Sequence, residues 1–135
     1  MQYCLKDFGK ALGLTDTLSF TDGLLTLRDD EGVHWMLQCP DDAGLLVVYS
    51  PLTAWGDASQ QEAENWLRLN SRFDILRGAW VGLHPENQIF CLFASIPLSI
   101  LTGPLLYNLF MNLQEVRATL ALRLNQPGYG FASSA

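Results

Sequence analysis

Residues 24–52 read LLTLRDDEGVHWMLQCPDDAGLLVVYSPL, and this stretch decides the fold. Two acidic, glycine-containing turns, Asp29-Asp30-Glu31-Gly32 and Pro40-Asp41-Asp42-Ala43-Gly44, separate three runs rich in Leu, Val, Trp and Tyr. Strand-forming runs joined by turns this short pair with their neighbours, so the stretch predicts an antiparallel three-stranded meander. Asp22-Gly23 ahead of it is a further turn signal. The strands are apolar at consecutive positions, LLTL and LLVV here and IFCLF at 89–93, which predicts a sheet that needs cover on both faces.

Working outward, Cys4, Leu5, Phe8, Ala11 and Leu12 recur at helical spacing between Lys6, Asp7 and Lys10. They predict an amphipathic helix over 3–13, stopped at Gly9 or, better, at Gly13. Beyond the meander, Asp57 with Gln60 resembles a capping box, and Ala63, Trp66, Leu67 and Asn70 continue a helix to about Arg72. Strands near 77–84 and 88–96 follow, joined at Pro85-Glu86-Asn87. Pro104 suits the first turn of a long final helix whose stripe is Leu105, Leu109, Leu113, Val116 and Leu120. The expected order is α-β-β-β-α-β-β-α, an α+β fold with a twisted antiparallel sheet. Residues 1–124 are expected to form one domain, and 125–135 (NQPGYGFASSA) a flexible tail. Three helices cannot cover both faces of five strands, so a second copy or a bound partner is expected on the remainder.

The chain has 135 residues, 49% apolar and 16% charged, with a net charge of -6 and pI near 4.6. That composition supports a core and excludes disorder over most of the length. An acidic chain repels phosphate, so no nucleic-acid partner is expected. The charge is uneven: residues 1–67 hold 11 acids and 3 bases, whereas 68–135 hold 3 acids and 5 bases. No charge occurs between Glu86 and Glu115, but Pro97, Thr102-Gly103-Pro104 and Asn108 divide that segment into a strand and a helix start, so membrane insertion is not expected. The opening MQYCLKDFGK lacks the apolar run of a secretory signal, and the three cysteines Cys4, Cys39 and Cys91 form no CxxC; both fit a cytoplasmic location.

No catalytic, metal or cofactor site is expected. His34 and His84 lie in no catalytic sequence context, and no GxSxG, HExxH or phosphate-loop pattern occurs. Asp29, Asp30 and Glu31 lack the alternating oxygen donors of a calcium loop and read as a solvated turn. The cysteines have no neighbouring base to activate a thiol.

Taken together, FGKALGL (8–14), LRDDEG (27–32), PDDAGLLVVYSPL (40–52), WLRLNSRF (66–73) and GAWVGLHPENQIFCLFASIPL (78–98), followed by a leucine-rich helix, carry a family likeness. The chain resembles the class I type III secretion chaperones of the Tir chaperone family, from residue 5 to about 124. The resemblance implies a bacterial cytoplasmic homodimer that uses no ATP and holds the N-terminal chaperone-binding segment of a secreted effector in extended, export-competent form. It also implies effector contacts at Leu5, Leu12, Leu25, Trp35, Met36, Leu46 and Val48, and a dimer interface at Trp66, Leu69, Phe73, Trp80 and Val81. Two other expectations compete with it: a regulatory binding module on the same fold, and a small enzyme using His34 or His84 with a nearby acid.

Overall fold

The computed structural model describes residues 2–14, 18–40, 42–54, 60–86 and 89–124. Its elements are α1 (Gln2–Ala11), β1 (Leu24–Arg28), β2 (His34–Gln38), β3 (Leu45–Ala54), α2 (Gln60–Leu69), α3 (Phe73–Leu76), β4 (Trp80–Leu83), β5 (Ile89–Pro97), a single 3-10 turn (Leu98–Ile100) and α4 (Gly103–Leu124). The strands form one five-stranded sheet in the order β1-β2-β3-β5-β4. β1 and β2, β2 and β3, and β4 and β5 pair antiparallel. The α+β class, the meander and the second hairpin stand as expected, with α3 and the 3-10 turn added.

Three local differences have physical causes. The helix expected from Asp57 to Arg72 ends at Leu69, and the chain turns at Asn70–Arg72 before the single turn of α3; Asp57 itself lies outside the described residues. The stripe of α4 is out of phase at its start: Leu105 is exposed and Leu109 half-buried, while Gly103, Leu106, Phe110, Leu113, Val116 and Leu120 are buried. Gly103 sets that phase. A β-carbon there would meet Cβ of Asp7 and lie 3.2 Å from the Cys4 carbonyl oxygen, so α1 and the start of α4 approach more closely than any other residue type permits. Finally, β1 and β2 do alternate: Leu25, Trp35 and Leu37 are buried, while Leu24, Thr26, Arg28, His34 and Gln38 are exposed. Leucine on both sides of a strand hides an alternation that the backbone pleat enforces.

By internal contacts the chain forms two compact units. The first is Met1–Tyr49 with Ser95–Asn112. In it α1 closes at Gly13, whose φ of 77° is the left-handed cap its sequence predicts. Its core holds Phe8, Trp35 and Phe110 edge to face, with ring centroids 5.5 Å (Phe8–Phe110) and 5.3 Å (Trp35–Phe110) apart. The second is Ser50–Ala94 with Leu113–Ala135. There Trp66 of α2 packs against Phe90 of β5 at 5.9 Å, over buried Leu69, Val81 and Leu92. Ser50 is buried, and its hydroxyl accepts a bond from Arg117 Nε at 3.2 Å, while Nη2 of Arg117 donates to the Pro51 carbonyl at 3.0 Å. Residues 125–135, the expected tail, lie outside the described residues.

Candidate polypeptide-binding and self-association surfaces

In the first unit, Asp22 and Gly23 both take positive φ (53° and 78°), and Thr21 and Leu24 exchange two main-chain bonds around them, the geometry of a type I′ hairpin turn. The next turn is more than a solvated loop. One oxygen of Asp29 accepts from the main-chain N–H groups of Glu31 and Val33, both at 2.9 Å, and the other accepts from the indole N–H of Trp35 at 3.0 Å. The carboxylate therefore fixes the turn and satisfies the polar atom of a fully buried ring. Asp30 and Glu31 remain exposed.

Of the residues expected to contact an effector, Leu5, Leu25, Trp35, Leu46 and Val48 are buried in the core of this unit, whereas Leu12 and Met36 are half-buried. Met36 lies on the opposite sheet face, opposite Thr26 and Tyr49, beside the row Leu24, Gln38 and Val47. This second face is mixed: apolar at Leu24, Met36 and Val47, polar at Thr26, Gln38, Arg28 and His34. Arg28 and His34 also face each other, with Nη2 of Arg28 3.3 Å from Nε2 of His34.

In the second unit, Trp66, Leu69 and Val81, from the expected dimer interface, are buried, while Phe73 is 79% exposed and Trp80 40% exposed. Trp80 stacks on Phe93 at 5.8 Å, and Gly82 beside it leaves room for the Phe93 ring, 3.3 Å from where a β-carbon would stand. Leu67, which the helical spacing places on one face with Trp66, stands instead on the outer side of α2 (67% exposed), because one residue's turn of about 100° carries it away from the buried Trp66, and with Leu83 at the end of β4 it adds exposed apolar surface. Asn70, just past α2, makes a two-way bond with β4: its Nδ2 donates to the Val81 carbonyl at 2.9 Å and its Oδ1 accepts from the Val81 N–H at 2.7 Å. Sequence spacing flags neither this role nor that of Asp29, since both depend on partners that only the fold brings near.

The thiols are quiet. Burial raises Cys91 to about 11, and burial likewise raises Cys4 and Cys39. His84 Nδ1 accepts from the Glu86 main-chain N–H at 3.3 Å. Among the described residues, no group of three or more His, Cys, Asp or Glu side chains is placed to hold a metal, and no helix is long and apolar enough to cross a membrane.

Residues 3–121 match the sequence model of the Tir chaperone protein (CesT) family. No curated protein sequence matches the chain. Among solved structures, one chain of the ExsC-ExsE complex superposes with a TM-score of 0.71 at 18% identity, covering 86% of each chain. A chain of the HopA1-SchA chaperone-effector complex gives 0.66 at 21%, covering 87% of this chain and 88% of the other. The Yersinia pestis type III secretion chaperone SycH, solved with a stable fragment of YscM2, gives 0.60 at 19%, covering 88% and 98%. At these identities the likeness is one of fold.

Proposed function

The chain belongs to the Tir chaperone protein (CesT) family, and from that premise we propose that it is a type III secretion chaperone. As a homodimer in the bacterial cytoplasm, it holds the N-terminal segment of a secreted effector soluble and export-competent. The observation that carries this is the family match across residues 3–121, on a fold shared with one chain of a chaperone-effector complex. The surfaces support it. Phe73, Trp80 and Leu67 expose apolar area that a second copy would bury, and aromatic anchors at an interface are worth about 2 kcal/mol or more each. Trp66, Leu69 and Val81 form the packed layer that holds those anchors in place. In the first unit, Met36 and Leu12 offer contact surface to the effector, with Leu5, Leu25, Trp35, Leu46 and Val48 as the rigid layer behind them. Binding of this kind takes up an unfolded segment without chemistry, so no catalytic residue is required.

The test is a pull-down of the tagged chain from its native bacterium, with light scattering on the purified protein. A dimer at micromolar concentration carrying one secreted polypeptide, whose N-terminal segment resists protease only in the complex, is the expected result. A monomer that enriches no secreted polypeptide would overturn the proposal.

A further inference from the structure

Three exposed apolar side chains of the second unit, Leu67, Phe73 and Trp80, come from three different elements, α2, α3 and β4. They act as one surface only where the backbone between them is held. The β4–β5 register shows how far apart two of them begin. Val81 stands opposite Leu92, and Leu83 opposite Phe90, on the side where Trp66 of α2 packs. Trp80 opposite Phe93 and Gly82 opposite Cys91 point to the other side. α2 therefore packs on one face of β4 while the Trp80 ring lies on the other, and a link between them has to run round the edge of the strand.

Asn70 makes that link. Its main-chain N–H donates to the Leu67 carbonyl at 3.2 Å, its Oδ1 accepts from the Val81 N–H at 2.7 Å, and its Nδ2 donates to the Val81 carbonyl at 2.9 Å. A primary amide carries a donor and an acceptor side by side, so it can hold both main-chain groups of one residue; alanine holds neither, and a carboxylate holds only the N–H. The two side-chain bonds close residues 70–81 into a ring. Within it, Ile75 and Leu76 of α3 are buried and Phe73 points outward, Arg77 and Gly78 turn the chain back with φ of 53° and 94°, and Trp80 directly precedes the closing residue. Each of the three anchors thus lies on the ring or one hydrogen bond from it.

We propose that Asn70 is the positioning residue of the self-association surface, holding Leu67, Phe73 and Trp80 in their joint arrangement before a second copy arrives. The inference rests on the homodimer of the proposed function and adds to it the group that pre-organises its anchors. A ring already closed loses less freedom on encounter, so Asn70 raises affinity without having to touch the partner.

Sedimentation equilibrium on the full-length chain provides the test. Asn70→Ala is expected to weaken the dimer about tenfold, and the nearly isosteric Asn70→Asp, which keeps the Val81 N–H bond and loses the carbonyl one, by at least about threefold at neutral pH. Stability alone does not reproduce this: Leu120→Ala, at a buried site on α4 in the same unit, is expected to lower the unfolding midpoint at least as far while leaving the dissociation constant within about twofold of wild type. With 5-fluorotryptophan incorporated, the Trp80 signal of the dilute monomer is expected to move in Asn70→Ala, as the indole shifts over Phe93, and to stay in Leu120→Ala. Where Trp80→Ala has already removed one anchor, Asn70→Ala is expected to weaken the dimer by about threefold or less. Unchanged dimerisation in both Asn70 variants, a loss in Leu120→Ala equal to that in Asn70→Ala, an unmoved Trp80 signal, or the same tenfold loss in the Trp80→Ala background would each overturn the proposal. A wild-type monomer at micromolar concentration would overturn the homodimer and this inference together, whereas a wild-type dimer indifferent to Asn70 would overturn this inference alone.

Discussion

Replacing Asp29 with alanine removes the acceptor of three hydrogen bonds: two main-chain bonds at 2.9 Å and the Trp35 indole bond at 3.0 Å. The turn donors lie in exposed or part-buried surroundings, where water can replace the carboxylate, so their loss costs about 0.5 kcal/mol each. The indole N–H has no such recourse. Trp35 is fully buried, and a stranded buried donor costs about 1–3 kcal/mol, giving a total of about 2–4 kcal/mol. With a urea dependence of about 2 kcal/mol per molar, the unfolding midpoint falls by about 1–2 M. The diagnostic measurement is a double-mutant cycle with Trp35→Phe, followed by circular dichroism because tryptophan emission changes between backgrounds. Phenylalanine has no N–H to strand, so Asp29→Ala in that background costs only the turn, about 1 kcal/mol, and the coupling is about 1–3 kcal/mol. A cost of under about 0.5 kcal/mol for Asp29→Ala alone, or the same cost in both backgrounds, would refute the link between turn and core.

Gly103→Ala forces a methyl group against Asp7 and the Cys4 carbonyl and is expected to destabilise by about 1–3 kcal/mol in chemical unfolding, with a neutral result showing that the helices separate freely. Trp66→Ala is expected to cost about 3–5 kcal/mol of stability, whereas Phe73→Ser leaves unfolding within about 0.5 kcal/mol of wild type while weakening self-association in sedimentation runs. The Cys91 thiol, raised by burial to about 11, keeps its proton in the folded chain well after an unfolded chain has ionised near 9. Above pH 9 the unfolded state therefore binds fewer protons, and the stability associated with Cys91, complete below pH 9, is lost as pH rises toward 11; alanine at this position should flatten that alkaline decline.

Element order was legible because turn chemistry is local: Asp22-Gly23, Asp29–Gly32 and Gly13 each demand a backbone state that few other residues tolerate. The phase of α4 was not legible. Leu105, Leu106, Leu109 and Phe110 are all apolar, so two stripes compete equally in the sequence, and only the approach of α1 to Gly103 selects the inner one. The two-sided strands were ambiguous for the same reason, since Leu24 and Leu25 look alike until the pleat assigns one to the core. The bonds of Asp29 to Trp35 and of Asn70 to Val81 lay beyond any pattern, because the partners stand six and eleven residues away across a turn. A family likeness reaches element order and overall role; it does not say which apolar side chains are buried and which present surface, and in both expected sites the two kinds are interleaved.

Three of the chain's four tryptophans lie among the described residues, and their differing enclosure has an optical consequence. Trp35 and Trp66 are sealed from solvent, whereas Trp80 is open on one side and rests on Phe93 on the other. Two indoles thus report the integrity of the interior through blue-shifted emission that acrylamide cannot reach. The third emits at longer wavelength and stays open to the quencher until something settles over β4. With Trp55 replaced by phenylalanine, folding and encounter are therefore written into separate bands of the same spectrum, and the protein carries a gauge of its own assembly without any dye being attached.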